Sequence, residues 1–384
     1  MVRTGLENLL KDPPADLKGR RVGLLCHQAS VDGNLRPAWR LLKGLLGDDL
    51  RLLFSPQHGL FGEQQANMIP SADFVEEETG LPVISLYGPR LAPEPEHLAE
   101  IDVLLVDLQD VGCRVYTYIW TLLLAMEACA REGKEVVVLD RPNPLGRAVE
   151  GPMLDPELVS FVGLHPLPMR HGLTIGELAL YFRHARGLDL ALRVVPLTGW
   201  DEGFFPDTGL PWVPPSPNMP RFETALVYPG QVMLEGTNLS EGRGTTTPFE
   251  VFGAPWLAVR EVLSLLPELP GAVLRGLSFE PWFDKWAGRS CRGLALHVVE
   301  AESFRPVRTT LTILAAIARV HEEFAFRWPP YEFEWQAWPF DIIVGTKAIR
   351  ERLLERETWE DQLDAGIEEF QELTRPFRLY HHAQ

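Results

Sequence analysis

The stretch 101–130, IDVLLVDLQDVGCRVYTYIWTLLLAMEACA, constrains the fold more than any other part of the chain. It opens as an apolar run, 103–106, closed by Asp107. A run so short and uniformly apolar suits a parallel strand buried on both faces. A polar turn follows, with Gln109, Asp110, Gly112 and Arg114, and from Tyr116 the chain reads as a long, nearly all-apolar helix. Strand, turn and helix in that order begin a βαβ unit, whose crossover is right-handed. In an open α/β sheet, ligands bind beyond the carboxyl ends of the strands. Asp107, Asp110, Arg114, Tyr116 and Tyr118 fall there. Glu127 is a carboxylate within a run of Leu, Ala and Met. Apolar surroundings raise a carboxyl pKa, the property wanted in a general acid. The competing reading puts Glu127 on a solvent-facing stripe, paired with Arg131 four residues on.

The same pattern recurs along the first half. Apolar runs at 21–26, 50–54, 83–86, 135–139 and 192–196 read as further strands. Segments 37–46, 95–100 and 175–185 read as helices, the last with Thr174 and Glu177 placed for a capping box. Residues 60–80 show little periodicity and read as a surface excursion. Four strands end in polar clusters: His27 with Gln28, Gln57 with His58, Asp107 with Asp110, and Asp140 with Arg141 and Asn143. In a parallel sheet these clusters line one edge. Neither a GxGxxG fingerprint nor a GxxxxGK[ST] loop is present, which speaks against a nucleotide cofactor.

A proline-crowded segment, 206–220, leads to a change of style. From 226 onward the chain is rich in Gly, Thr and charged residues. Glu235, Asn238, Ser240, Glu241, Arg243 and Thr245 fall close together in a loop that suits recognition of a polar ligand. The plainer reading of this loop is turn chemistry, which Gly, Asn and Ser favour anyway. Helices at 256–266, 308–324 and 359–374, the last capped by Thr358, mix with strands at 294–299 and 279–283. The fold class expected is therefore α/β, with a parallel-sheet N-terminal domain over 1–225 and a smaller α+β C-terminal domain over 226–384.

The net charge of −17, with no basic block, argues against nucleic acid as a partner. Cys26, Cys113, Cys129 and Cys291 form no CxxC pair and have no His at zinc-ligand spacing, so no metal site is expected. They read as reduced thiols of a cytoplasmic protein. The polar start of the chain reads as neither signal peptide nor anchor. No run approaches the ~20 apolar residues that span a bilayer, so no membrane insertion is expected.

Several short motifs occur in order: Pro56-Gln57-His58-Gly59, Asp107-Leu108-Gln109-Asp110-Val111-Gly112, Tyr116-Thr117-Tyr118, Asp140-Arg141-Pro142-Asn143-Pro144, Glu150-Gly151-Pro152, Arg170-His171-Gly172, Glu235-Gly236-Thr237-Asn238, Gly242-Arg243-Gly244-Thr245 and Gly253-Ala254-Pro255-Trp256. Together they resemble the exo-β-N-acetylmuramidase family of peptidoglycan recycling, over nearly the whole chain. The resemblance implies a Rossmann-like N-terminal domain, a C-terminal domain that completes a cleft, and no cofactor. It implies release of N-acetylmuramic acid from the non-reducing end of peptidoglycan glycan fragments. The chain departs from the family pattern at Gln57, where glutamate is usual, and at Ala66-Asn67, where Ala-Gly is usual. Many members also carry an export signal.

Glycoside hydrolysis normally takes two carboxyl groups, or one plus the substrate's acetamido group. The expected catalytic set is Glu127 as acid, Glu235 as a second carboxylate, and His58 and Gln57 as orienting groups. Arg114 and Arg243 are expected to hold the lactyl carboxylate, since a guanidinium offers a planar fork. Asp107, Asp110, Tyr116, Tyr118, Asp140, Arg141, Asn143 and Asn238 are expected substrate contacts. Glutamine cannot protonate a leaving group, so a weak or inactive saccharide-binding protein is the alternative.

Overall fold

The structure, a computed structural model, describes residues 2–65 and 68–380. The departure at Ala66-Asn67 lies outside the described residues. Strands β1 (Val22–Cys26), β2 (Leu50–Ser55), β3 (Phe74–Val75), β4 (Pro82–Ser85), β5 (Val103–Asp107), β6 (Glu135–Leu139) and β7 (Leu192–Val195) form one sheet in the order β3-β4-β2-β1-β5-β6-β7. Every pairing is parallel except that of β3 with β4. Both central strands, β1 and β5, are buried along their whole length, which is why they read as unbroken apolar runs. The strand order reverses between them, and Cys26 pairs with Asp107, so their carboxyl ends are level at the topological switch point.

The helix Tyr118–Arg131 covers this sheet, and its apolar surface is almost wholly buried. Trp120 is fully enclosed and donates its Nε1–H to the Arg114 carbonyl at 2.7 Å. Its loss to alanine would cost about 3–5 kcal/mol. Leu124, Glu127 and Ala130, three residues apart, form the one partly exposed stripe. The helix Ile175–Ala185 has the expected capping box of Thr174 and Glu177.

A second sheet is antiparallel, built from β8 (Val251–Ala254), β9 (Ala272–Phe279) and β10 (Cys291–Val298) in the order β8-β10-β9. Its residues join one continuous core with the first half: Leu104, Trp120, Leu234, Phe252, Leu314 and Phe340 belong to the same apolar cluster. The helix Phe222–Gln231, with Pro229 inside it, runs across position 225.

Several local expectations fail for identifiable reasons. The edge strand placed at 279–283 runs instead from Ala272 to Phe279 and stops before Pro281. Its half-buried alternation is masked in sequence by Gly276 and Ser278. The last helix starts at Ile367, not at 359, because Gly366, at φ 80°, turns the chain there. Among the described residues no helix is long and apolar enough to cross a membrane.

Candidate active site

The loop after β2 reaches the site first. His58 takes φ 72° and Gly59 φ 82°, and this pair of left-handed residues turns the chain sharply after Gln57. The amide of Gln57 is held at both ends. Its Oε1 accepts from Thr117 Oγ1 at 2.6 Å, and its Nε2 donates to Tyr87 Oη at 3.0 Å and to Glu332 Oε1 at 3.4 Å. Tyr87 in turn donates to Glu332 Oε2 at 2.8 Å and accepts from the Met68 amide. His58 Nδ1 lies 2.6 Å from the Gln64 carbonyl and so carries the proton. Burial pushes its pKa down to about 4. The imidazole is therefore neutral near pH 7, with Nε2 left as an acceptor.

From the second half come the loop 235–243 and the segment 329–334. Arg243 donates to Glu235 Oε1 through Nη2 at 2.6 Å and Nε at 3.2 Å, and lies 3.4 Å from Glu241. The ring of Phe249 lies beneath its guanidinium, 5.1 Å from centroid to Cζ. Tyr331 donates to Glu235 Oε2 at 2.7 Å. Glu241 is buried, and burial alone would raise its pKa. Lys285, at 2.6 Å, and Arg243 more than offset this and hold it below the usual range. Burial pushes Glu332 the other way, up to about 7, with the charge of Glu235 adding to the shift and the bond from Tyr87 opposing it.

These groups surround a cleft in two parts. A narrow inner recess of about 30 Å³ is lined by Gln57, His58, Tyr116, Thr117, Asn218, Tyr228, Arg243, Tyr331 and Glu332, all buried. An outer chamber of about 430 Å³ is bordered by Glu235, Glu241, Arg243, Phe283, Asp284, Arg327 and Tyr331. Arg243 and Tyr331 border both. Among the lining hydroxyls, that of Tyr116 sits near those of Ser216 and Tyr118 without a hydrogen bond of good geometry.

Of the residues expected from sequence, the structure brings Gln57, His58, Tyr116, Glu235 and Arg243 to the cleft. The others are engaged elsewhere, and each has a physical reason. Glu127 is on the outer stripe of its helix, ion-paired with Arg186 at 3.2 Å rather than with Arg131. It lies about 14 Å along the helix from Tyr118, at 1.5 Å per residue. It is no candidate acid. Arg114 is fully buried and donates to the carbonyls of Pro152, Leu167 and Ile343. A side chain at Gly345, at φ 95°, would strike its guanidinium at 2.6 Å. Arg114 is thus a structural bolt and no carboxylate ligand. Asp107 and Arg141 form a buried ion pair at 2.5 Å, and Arg141 also holds the Val31 carbonyl.

Asp140 caps the helix Ile175–Ala185 through Thr174 Oγ1 and the Gly176 amide, and accepts from Tyr380 Oη at 2.6 Å. Asn143 bonds the Leu173 carbonyl and the Leu145 amide. Asp110 accepts from the Gly112 amide at 2.7 Å and faces His171 at 3.3 Å. Tyr118 donates to the Pro215 carbonyl, and Asn238 ties down 323–325. Hence the four strand-end clusters do share an edge, but the His27, Asp107 and Asp140 clusters brace the loops, and it is the Gln57–His58 cluster that faces the cleft.

Glu332, Tyr87, Thr117, Tyr228 and Tyr331 went unrecognised in the sequence. The available signal was the alternation of aromatic and acidic residues in Tyr331-Glu332-Phe333-Glu334-Trp335, beside two prolines.

Comparison with known proteins supplies the remaining findings. Residues 22–223 match the family described as "Exo-beta-N-acetylmuramidase NamZ, N-terminal", and residues 226–380 its C-terminal counterpart. The chain is 41% identical to "Peptidoglycan beta-N-acetylmuramidase NamZ" of Bacillus subtilis (strain 168), over 99% of this chain and 91% of that protein. Two crystal structures of DUF1343 family proteins from Bacteroides fragilis superpose over 99% of both chains. One has a TM-score of 0.87 at 33% identity, the other 0.77 at 27%.

Proposed function

The chain belongs to the exo-β-N-acetylmuramidase family, and from that premise we propose how its cleft does the work. It is a glycosidase that releases terminal N-acetylmuramic acid from the non-reducing end of peptidoglycan-derived saccharides. The observation that carries this is a match along the whole chain to an enzyme of that activity. No observation favours the alternative of an inactive binding protein.

In the reading we put forward, the saccharide lies in the outer chamber and its terminal sugar reaches the mouth of the narrow inner recess. The scissile bond then falls where Arg243 and Tyr331 border both spaces. Glu235 is the carboxylate on the outer side, oriented by Arg243 and Tyr331. A negative charge developing on the substrate, or the lactyl carboxylate, meets the Arg243 guanidinium in a buried site, where such pairing is strong. His58 Nε2 accepts from a sugar hydroxyl. The proposal also keeps the two-part division near 225 as a functional one, each part supplying one side of the cleft. Four buried, unpaired thiols support a reducing compartment, the cytoplasm.

The test is incubation with the disaccharide N-acetylmuramyl-N-acetylglucosamine and with an aryl N-acetyl-β-muramide. Free N-acetylmuramic acid should appear from both. Its absence at high enzyme concentration would refute the assignment.

A further inference from the structure

Position 57 lacks the carboxyl that the family pattern places there, yet a carboxyl stands one hydrogen bond away. Glu332 meets the Gln57 amide at 3.4 Å although 275 residues separate them in sequence. Its other oxygen is held by Tyr87 at 2.8 Å. It is only 2% exposed, and it lines the recess. We propose that Glu332 is the proton donor of this enzyme, with Gln57 and Tyr87 as the positioning residues that aim it.

The backbone supports the assignment independently. Tyr331 and Glu334 bond each other through both amide–carbonyl pairs, closing a two-residue turn. Both central residues are left-handed, Glu332 at φ 44° and Phe333 at φ 65°. Turns of this kind favour Asn-Gly because a Cβ is penalised there, by roughly 1–2 kcal/mol per residue. Here the chain uses Glu-Phe instead. Strain of this sort persists where surrounding structure enforces it, and it gathers at functional sites. Packing supplies the enforcement: Phe333 lies edge-on to Tyr87 at 5.6 Å, and Tyr331 is tied to Glu235. Burial also keeps the Glu332 carboxyl protonated up to about pH 7, so it has a proton to give at neutral pH.

The Glu332 carboxyl gives its proton to the glycosidic oxygen as the C1–O bond breaks, and the bonding electron pair stays with that oxygen, forming the leaving sugar's hydroxyl. Over the whole turnover one water is consumed. Its oxygen ends on C1, and one of its protons replaces the one that Glu332 gave up.

This inference rests on the muramidase reading, and the experiment separates the two. kcat/KM of wild type and Glu332→Gln is measured on the disaccharide, whose leaving group needs a proton, and on a dinitrophenyl muramide, whose leaving group does not. We expect Glu332→Gln to lose about 10²-fold or more on the disaccharide and less than about 10-fold on the aryl substrate. Equal loss on both, or no loss, overturns the proposal. Wild-type inactivity on both substrates sinks the muramidase reading itself, and this proposal with it. A second variant keeps the test decisive should Glu332→Gln misfold. Tyr87→Phe removes a hydrogen bond that lowers the Glu332 pKa, so the basic limb of the kcat/KM profile should move to higher pH. An unmoved limb counts against Glu332.

Discussion

Arg243 reaches Glu235 Oε1 with two of its nitrogens, at 2.6 and 3.2 Å, while its guanidinium lies over Phe249. A fork and a flat face are both used, and lysine offers neither. The pair stands at the junction of recess and chamber, so Arg243 is positioned to act on the substrate and on its own carboxylate partner.

The first prediction concerns substrate charge. Arg243→Ala should lower kcat/KM on an aryl N-acetylmuramide at least ~10-fold more than on the matching N-acetylglucosaminide, which lacks the lactyl carboxylate. Arg243→Lys should recover little of the loss. Steady-state kinetics on the two substrates checks this. Equal losses would mean that Arg243 serves only to orient Glu235.

Arg114 gives the opposite kind of expectation. Arg114→Met leaves three buried carbonyls, those of Pro152, Leu167 and Ile343, without their donor. The cost should be at least about 3 kcal/mol of stability, since each orphaned group costs about 1–3 kcal/mol. Denaturant unfolding measures it. A stable Arg114→Met protein with a raised KM would restore Arg114 to the binding site.

Much of this was legible in the sequence. β1, β5 and β6 were legible because strands buried on both faces leave uniform apolar runs between polar turns. Gln57, His58, Glu235 and Arg243 were legible because they sit in dense polar loops at strand ends or near glycines. Glu127 was misread because its helix is buried on nearly every side, so its apolar neighbours hide the narrow outer stripe it shares with Leu124 and Ala130. Asp140 looked like a ligand contact, but a helix cap and Tyr380, far along the chain, claim its oxygens. Glu332 left only the short aromatic–acidic alternation of 331–335. Its meaning is tertiary, set by a strained turn that brings it to Gln57 from the far end of the chain.

A third prediction links buried carboxyls to stability. Glu150 is buried, and burial raises its pKa from the ordinary 4.5 to about 7. A carboxyl raised on folding stabilises the fold fully below its unfolded pKa and loses that contribution as pH rises through about 7. Stability should therefore fall between about pH 4.5 and pH 7. Glu150→Gln cannot titrate, so its Tm relative to wild type should rise from pH 5 to pH 8, on the order of 2–4 °C. Calorimetry at the two pH values checks it. A constant difference would show that Glu150 does not carry the effect.

With Glu332 as its acid, this chain should work as a glycosidase despite glutamine at position 57. The measurement that tests it most directly is kcat against pH on the disaccharide, for wild type and Gln57→Glu. Wild type should turn over with a basic limb near pH 7, where Glu332 loses its proton. A carboxylate added at position 57 would face Glu332 across the present 3.4 Å contact and raise its pKa further. The limb of Gln57→Glu should then move to higher pH, with no large gain in maximal rate. A rise of about 10²–10⁴-fold in Gln57→Glu would contradict the account, for it would mean that the acid belongs at position 57 and that Glu332 does not replace it.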